Sequence, residues 1–332
     1  MSASGPLLPS VRGLLGELNQ RPTADFDSLH EQETIAAYLD VARRPVPRPR
    51  GMDVATVEDM VVGERDVPVR LYQPDSEQPL PALVYYHGGG WVVGDLEMHD
   101  DTCRMLANVA RCIVVSADYR LAPEHRFPVP LDDCWSVLRW AQAHLGDRGW
   151  DGSTLAVGGT SSGGNLAAAV ALRARDEGLP LGLQVLLYPA LDSTMSTPSW
   201  REFGEGYFLT AAQMAWYWRQ YTSEPGVRHH PEVSPSHSTD LAGLAPSIVV
   251  TAECDLLRDE AEHYATRLRE AGIPVRLWRF TGQIHGFLSL GAALPEVREA
   301  KQAITSLVGA VLENPAVLSD ATVGAPRGVV EL

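Results

Sequence analysis

The sequence is short of cysteine, of positive charge and of long apolar runs, and each shortage excludes something. Its four cysteines, Cys103, Cys112, Cys134 and Cys254, form no Cys-x-x-Cys pair and no zinc-ligand spacing. That argues against a disulfide framework or a structural zinc site, and for a reduced, cytoplasmic setting. No basic, apolar, small-residue leader precedes Ser10, so no secretory signal is expected. Uninterrupted apolar runs stay well below the ~20 residues that a membrane-spanning helix needs. Twenty-seven basic residues face forty-two acidic ones, a net charge of -15, which opposes binding to the phosphate backbone of nucleic acids or to anionic membranes. The one basic run, Arg43-Arg44-Pro45-Val46-Pro47-Arg48-Pro49-Arg50, reads as a stiff, solvated connector because of its alternating prolines. Internal repeats and low-complexity tracts are also absent.

Apolar material is plentiful. Hydrophobic residues make up 45% of the 332, with eight tryptophans, enough for a large buried core. Residues 7–18 keep helical apolar spacing, and 33–44 look helical again before the prolines stop them. Between 54 and 72, short β-rich pieces around Gly63 and Pro68 suit an antiparallel strand pair. From there the rhythm changes. Runs of branched and apolar residues at 82–86, 112–117, 155–158, 183–188, 247–252 and 275–280 are separated by stretches of helical period. Strands buried on both faces lose polar alternation, so this order predicts an α/β fold with a mostly parallel sheet flanked by helices. Sites in such sheets gather beyond the C-terminal strand ends. Residues 192–243 interrupt the pattern with an aromatic-rich helix at 210–221. Residues 314–332 show no period and read as a tail, mobile or packed on a partner.

The strongest local signal is Gly159-Thr160-Ser161-Ser162-Gly163, between the strand at 155–158 and the helix-forming run 165–176. A serine on a tight strand-to-helix turn is a nucleophile elbow, and its neighbours two places away must be small for strand and helix to pass. Alone, such a turn can also simply connect elements or hold a phosphate. Its context raises the specificity. His87-Gly88-Gly89-Gly90-Trp91 follows the strand at 82–86, where a glycine loop can offer amides to an oxyanion. Gly89 and Gly90, or Gly88 and Gly89, would give two donors and the Ser162 amide a third. In Ser…acid…His order, the base belongs on a loop after a late strand, and His285 fits. His263 lies on an amphipathic helix, His229 and His230 lie in the interruption, and His87 shapes the glycine loop. Asp255, at the end of the 247–252 strand, is the expected acid, and Asp192 is the fallback.

These pieces, together with Asp118-Tyr119-Arg120-Leu121-Ala122-Pro123-Glu124-His125, Tyr188-Pro189, 255–260 and 284–287, make the chain resemble the hormone-sensitive-lipase-like esterases, the bacterial family IV carboxylesterases. The elbow departs from the family's commonest Gly-Asp-Ser-Ala-Gly at Thr160 and Ser162, and Leu256 stands where proline is usual. The resemblance implies an α/β-hydrolase fold with a helical cap. Residues 1–50 would be the N-terminal cap segment, 51–191 and 244–313 the catalytic core, 192–243 a cap insertion, and 314–332 the tail. It implies a serine carboxylesterase for a small-molecule ester of short to medium chain or aryl type, acting through an acyl-enzyme intermediate. Ser161, Asp255 and His285 would carry the chemistry, and 118–124 would be structural. Trp91, Phe203, Tyr207, Phe208, Met214 and Trp216 are candidates to line the acyl pocket. No metal or organic cofactor is implied, and the family allows a homodimer. Two rival readings use the same residues: a hydrolytically inactive receptor, which would typically have abandoned the histidine, and an amide hydrolase.

Overall fold

In the computed structural model, the described residues are 7–20, 24–44, 51–290, 294–320 and 324–332. The prolines of the basic run, within 45–50, lie outside them, as do residues 1–6. Two helices open the chain, α1 (Pro9–Leu18) and α2 (Gln32–Ala42), followed by the strands β1 (Thr56–Val62), β2 (Val67–Gln73) and β3 (Leu80–Tyr86). Alternation then sets in: α3 (Asp100–Val109), β4 (Ile113–Ala117), α4 (Val129–His144), β5 (Trp150–Thr160), α5 (Ser162–Asp176) and β6 (Leu183–Leu187). After β6 come a short helix α6 (Pro198–Glu202) and α7 (Ala211–Tyr221). The chain then resumes with β7 (Ser247–Cys254), α8 (Arg258–Glu270), β8 (Val275–Ile284), α9 (Pro295–Glu313) and β9 (Val329–Glu331).

Among the described residues, nine strands form one sheet in the order β1-β2-β4-β3-β5-β6-β7-β8-β9. The six strands from β4 to β8 in that order run parallel, while β1, β2 and β9 add antiparallel edges. This is the sheet expected from the unalternating apolar runs: β4 and β6 are buried at every position, as strands covered on both faces must be. α5 is buried along most of its length, and its alanines let it lie close against the sheet. Lys301 of α9 pairs with Asp101 of α3, joining two covering helices. No helix among the described residues is long and apolar enough to cross a membrane.

The C-terminal residues differ from the tail read in the sequence. Val329, Val330 and Glu331 pair with Phe280, Arg279 and Trp278 of β8. Buried Arg276 pairs with Glu331 and donates to the carbonyls of Val317 and Asp320. A three-residue strand has too little periodicity to be legible in advance.

Candidate active site

Four segments of the site begin at the first residue after a parallel strand: His87 after β3, Ser161 after β5, Asp255 after β7 and His285 after β8. The topology therefore gathers them at one edge of the sheet, where ligands of such sheets bind.

Ser161 sits between the last residue of β5 and the first of α5, at φ 54° and ψ -119°. A left-handed conformation costs a non-glycine residue about 1–3 kcal/mol and persists only where its surroundings enforce it. Here its amide donates to the Leu187 carbonyl at 2.9 Å, and its carbonyl accepts from Asn165 at 3.0 Å and Ala190 at 3.2 Å. Gly163 is required by close approach: a Cβ there would land on the Tyr86 carbonyl, and one on Gly159 would land on the Gly163 backbone. The turn thus lifts the Ser161 hydroxyl clear of the sheet at the N-terminus of α5, where the helix dipole favours negative charge.

His285 Nε2 lies 3.0 Å from Ser161 Oγ, and His285 Nδ1 lies 2.8 Å from Asp255 Oδ2. Asp255 is almost completely buried, and its Oδ1 accepts from the Leu257 amide at 2.9 Å. A carboxylate on Nδ1 requires the ring proton there, which leaves Nε2 as an acceptor for the serine hydroxyl. Tyr188 packs its ring edge against the imidazole, 5.2 Å between centroids. The fallback acid is engaged elsewhere: Asp192 Oδ1 is 3.1 Å from His237 Nε2 and accepts from the Thr194 amide. His263, His229 and His230 are exposed. His87 is buried and stacks on Tyr119 at 4.2 Å; burial drives its pKa down to about 4, so the ring is neutral.

Of the glycine loop, Gly88 donates its amide to His99 Nε2 at 3.3 Å, while its carbonyl accepts from His87 Nδ1 at 2.8 Å. The amides of Gly89, Gly90 and Ser162 make no hydrogen bond among the described residues. Between the two glycine pairs that the sequence leaves open, the hydrogen bonding therefore favours Gly89 and Gly90. Both have positive φ, 118° and 62°, a region that glycine enters at no steric cost.

A cavity of about 560 Å³ opens over these groups, lined by Gly88, Gly89, Gly90, Ser161, His285 and Gly286, and by side chains from elsewhere. Of the six candidate lining residues, Phe208 and Met214 reach it. The other four are used in packing. Trp91 stacks on Tyr221 at 4.4 Å, and Phe203 meets Tyr207 at 5.0 Å. Trp216 packs against Phe26 and Tyr38 and donates to the Leu29 carbonyl. The lining residues missed in the sequence include Leu18, Asn19, Phe26 and Tyr38 from the N-terminal segment, Gln213 and Tyr217 from α7, and His99. Gln213, Met214 and Tyr217 share one helix face by their spacing of three and four, a signal that could have singled out Tyr217.

Against known proteins, the model of the alpha/beta hydrolase fold family matches residues 83–289. The chain belongs to that family. It is 35% identical over 312 residues to an arylesterase of Saccharolobus solfataricus, covering 93% of this chain and 99% of the relative. It is 38% identical over 306 residues to the carboxylesterase NlhH of Mycobacterium tuberculosis, covering 88% and 93%. Among solved structures, an ester-hydrolase from the metagenome of Lake Arreo, complexed with a derivative of bipyridine phosphonate, superposes with a TM-score of 0.84. The identity is 40%, over 93% of this chain and all of that one. The resemblance to hormone-sensitive-lipase-like esterases agrees with these relatives.

In this alpha/beta hydrolase, residues 118–124 hold loops together. Arg120 pairs with buried Asp133, and Glu124 with Arg43 at the end of α2; that arginine also holds the Glu124 carboxyl below its ordinary pKa. None of the four cysteines is poised as a competing nucleophile: all are buried, and burial pushes the Cys112 and Cys254 thiols up to about 12. Among the described residues, no group of three or more His, Cys, Asp or Glu is arranged to hold a metal ion.

Proposed function

We propose that the protein is a serine carboxylesterase for short- to medium-chain or aryl esters, working through a Ser161 acyl-enzyme. The observation that carries this reading is the continuous line from Asp255 through His285 to Ser161 Oγ, ending in the 560 Å³ cavity. The names of the relatives support the ester-hydrolase class.

In the first half-reaction, Ser161 Oγ attacks the ester carbonyl carbon as His285 Nε2 takes the hydroxyl proton. The carbonyl oxygen becomes an oxyanion beside the amides of Gly89, Gly90 and Ser162. Each such donor is worth about 3 kcal/mol to the transition state because it is already oriented before charge develops. Asp255 stays ionised and stabilises the imidazolium. The proton on Nε2 then passes to the leaving alcohol oxygen as the C–O bond breaks. Water enters, gives its proton to Nε2, attacks the acyl carbon and releases the acid, returning the proton to Ser161.

The cavity volume lies within the ~300–1,000 Å³ of small-molecule sites, which supports a single ester molecule as substrate over an oil interface. The receptor reading is disfavoured because His285 is both present and hydrogen-bonded in line. Incubation with a p-nitrophenyl alkylphosphonate tests the nucleophile directly. Ser161 should displace p-nitrophenol and carry one covalent phosphonate by intact mass, with Ser161→Ala unmodified. A wild-type protein that stays unmodified while hydrolysing esters would overturn the assignment.

A further inference from the structure

His99 belongs to none of the motifs singled out in the sequence, yet one of its ring nitrogens joins the two halves of the site. It ends a short 3-10 turn, Leu96–His99, capped by Asp95, which accepts from the Met98 amide at 2.8 Å, and it leads directly into α3. The side chain is buried, its ring 5.7 Å from that of Tyr85, and it reaches the wall of the cavity. Nε2 is 3.3 Å from the Gly88 amide nitrogen and 3.2 Å from Thr160 Oγ1.

The direction of these bonds follows from chemistry alone. A backbone N–H can only donate, so Nε2 is unprotonated and the neutral ring carries its proton on Nδ1. The Thr160 hydroxyl must then donate to Nε2 as well, while itself accepting from the Tyr85 hydroxyl, 3.5 Å away. One lone pair therefore ties the residue before the nucleophile to the first glycine of the loop. The same loop is held from its other side: the Tyr119 hydroxyl donates to the His87 carbonyl at 2.7 Å, and His87 Nδ1 donates to the Gly88 carbonyl. The peptide between Gly88 and Gly89 is planar. Fixing Gly88 at both ends thus fixes where the Gly89 N–H points.

We propose that His99 is a positioning residue, whose neutral Nε2 holds the glycine loop and the elbow in the register that aims the Gly89 and Gly90 amides at the oxyanion formed on Ser161. The inference rests on the esterase reading above. It also accounts for why the Gly88 amide is withdrawn from the cavity. Preorganised donors act only where charge develops, so their misalignment weakens the transition state while leaving ester binding nearly intact.

The test compares wild type, His99→Leu and His99→Gln by kcat and KM on p-nitrophenyl butyrate, by inhibition with an alkyl trifluoromethyl ketone that forms a tetrahedral adduct, and by Tm. Leu removes the acceptor; Gln keeps one in its side-chain carbonyl. His99→Leu should lower kcat about 100-fold, the scale of one lost oxyanion donor, with KM nearly unchanged and the ketone weakened in parallel. His99→Gln should recover to within about tenfold of wild type. A Leu variant with wild-type kcat overturns the proposal, as does an equal loss in Leu and Gln accompanied by equal falls in Tm. Should the Leu variant not fold, Gln decides alone: recovery as above supports the proposal, and a loss as large as that expected for Leu at unchanged Tm overturns it. Wild-type hydrolysis that persists in Ser161→Ala defeats the esterase reading itself. Hydrolysis that needs Ser161 but not His99 defeats only this inference.

Discussion

Asp255 Oδ2 lies 2.8 Å from His285 Nδ1, at the end of the strand beside the one that carries the histidine. The pairing of β7 with β8 thus sets the acid and the base in contact, and burial of Asp255 leaves the interaction only weakly screened by salt.

Asp255→Asn should reduce kcat by about 10³–10⁴-fold, because the amide cannot hold the proton on Nδ1 and stabilise the imidazolium. The Leu257 amide keeps an acceptor in the Asn carbonyl, so the variant should fold. Asp192→Asn, whose carboxylate faces His237 instead, should keep nearly full turnover. Steady-state kinetics on both variants checks the assignment, and the reverse pattern would make Asp192 the acid.

Gly90→Ala probes the loop. A Cβ there would enter the Tyr217 ring, and the φ of 62° is one that alanine resists. Either response, a shifted tyrosine or a shifted loop, moves the Gly90 amide. We expect kcat to fall about 100-fold, as for a lost oxyanion donor, with a smaller change in KM. A change confined to KM would place Gly90 in substrate binding alone.

The parts of this architecture that were legible in the sequence carry strong local signatures. Strands β3 to β8 lost polar alternation because both faces are covered, and the glycines of the elbow, Gly159 and Gly163, are dictated by the clash of any larger residue with Tyr86 and with the turn itself. The pocket was less legible. α7 carries Trp216, Tyr217, Trp218 and Tyr221, so aromatics occur all round the helix and their presence does not tell which face meets the cavity. Trp91 follows the glycine loop in sequence, but its ring turns to stack on Tyr221. Tyr38 and Phe26 reach the cavity only through tertiary packing of the N-terminal segment. His99 was silent because a lone histidine before a helix has no motif.

Glu260 offers a test of stability against pH. It is buried, with the Leu191 and Asp192 amides and Trp200 Nε1 donating to it. Burial, the largest effect, raises its pKa to about 8. In the unfolded chain it titrates near 4.5, so between these values the folded state holds a proton that the unfolded state has lost. The resulting stability is fully present below about pH 4.5 and is lost as pH rises toward 8, with a slope of up to ~1.4 kcal/mol per pH unit. Glu260→Gln should flatten this part of the Tm-against-pH curve. Parallel curves for wild type and variant would mean that the carboxyl titrates normally.

The most direct test is hydrolysis of p-nitrophenyl acetate, butyrate, octanoate and palmitate by the purified protein, with Ser161→Ala alongside. We predict turnover of the short and medium esters, a steep decline toward palmitate and loss of activity in the variant. Equal activity in Ser161→Ala, or no hydrolysis of any ester by the wild type, would contradict the central claim.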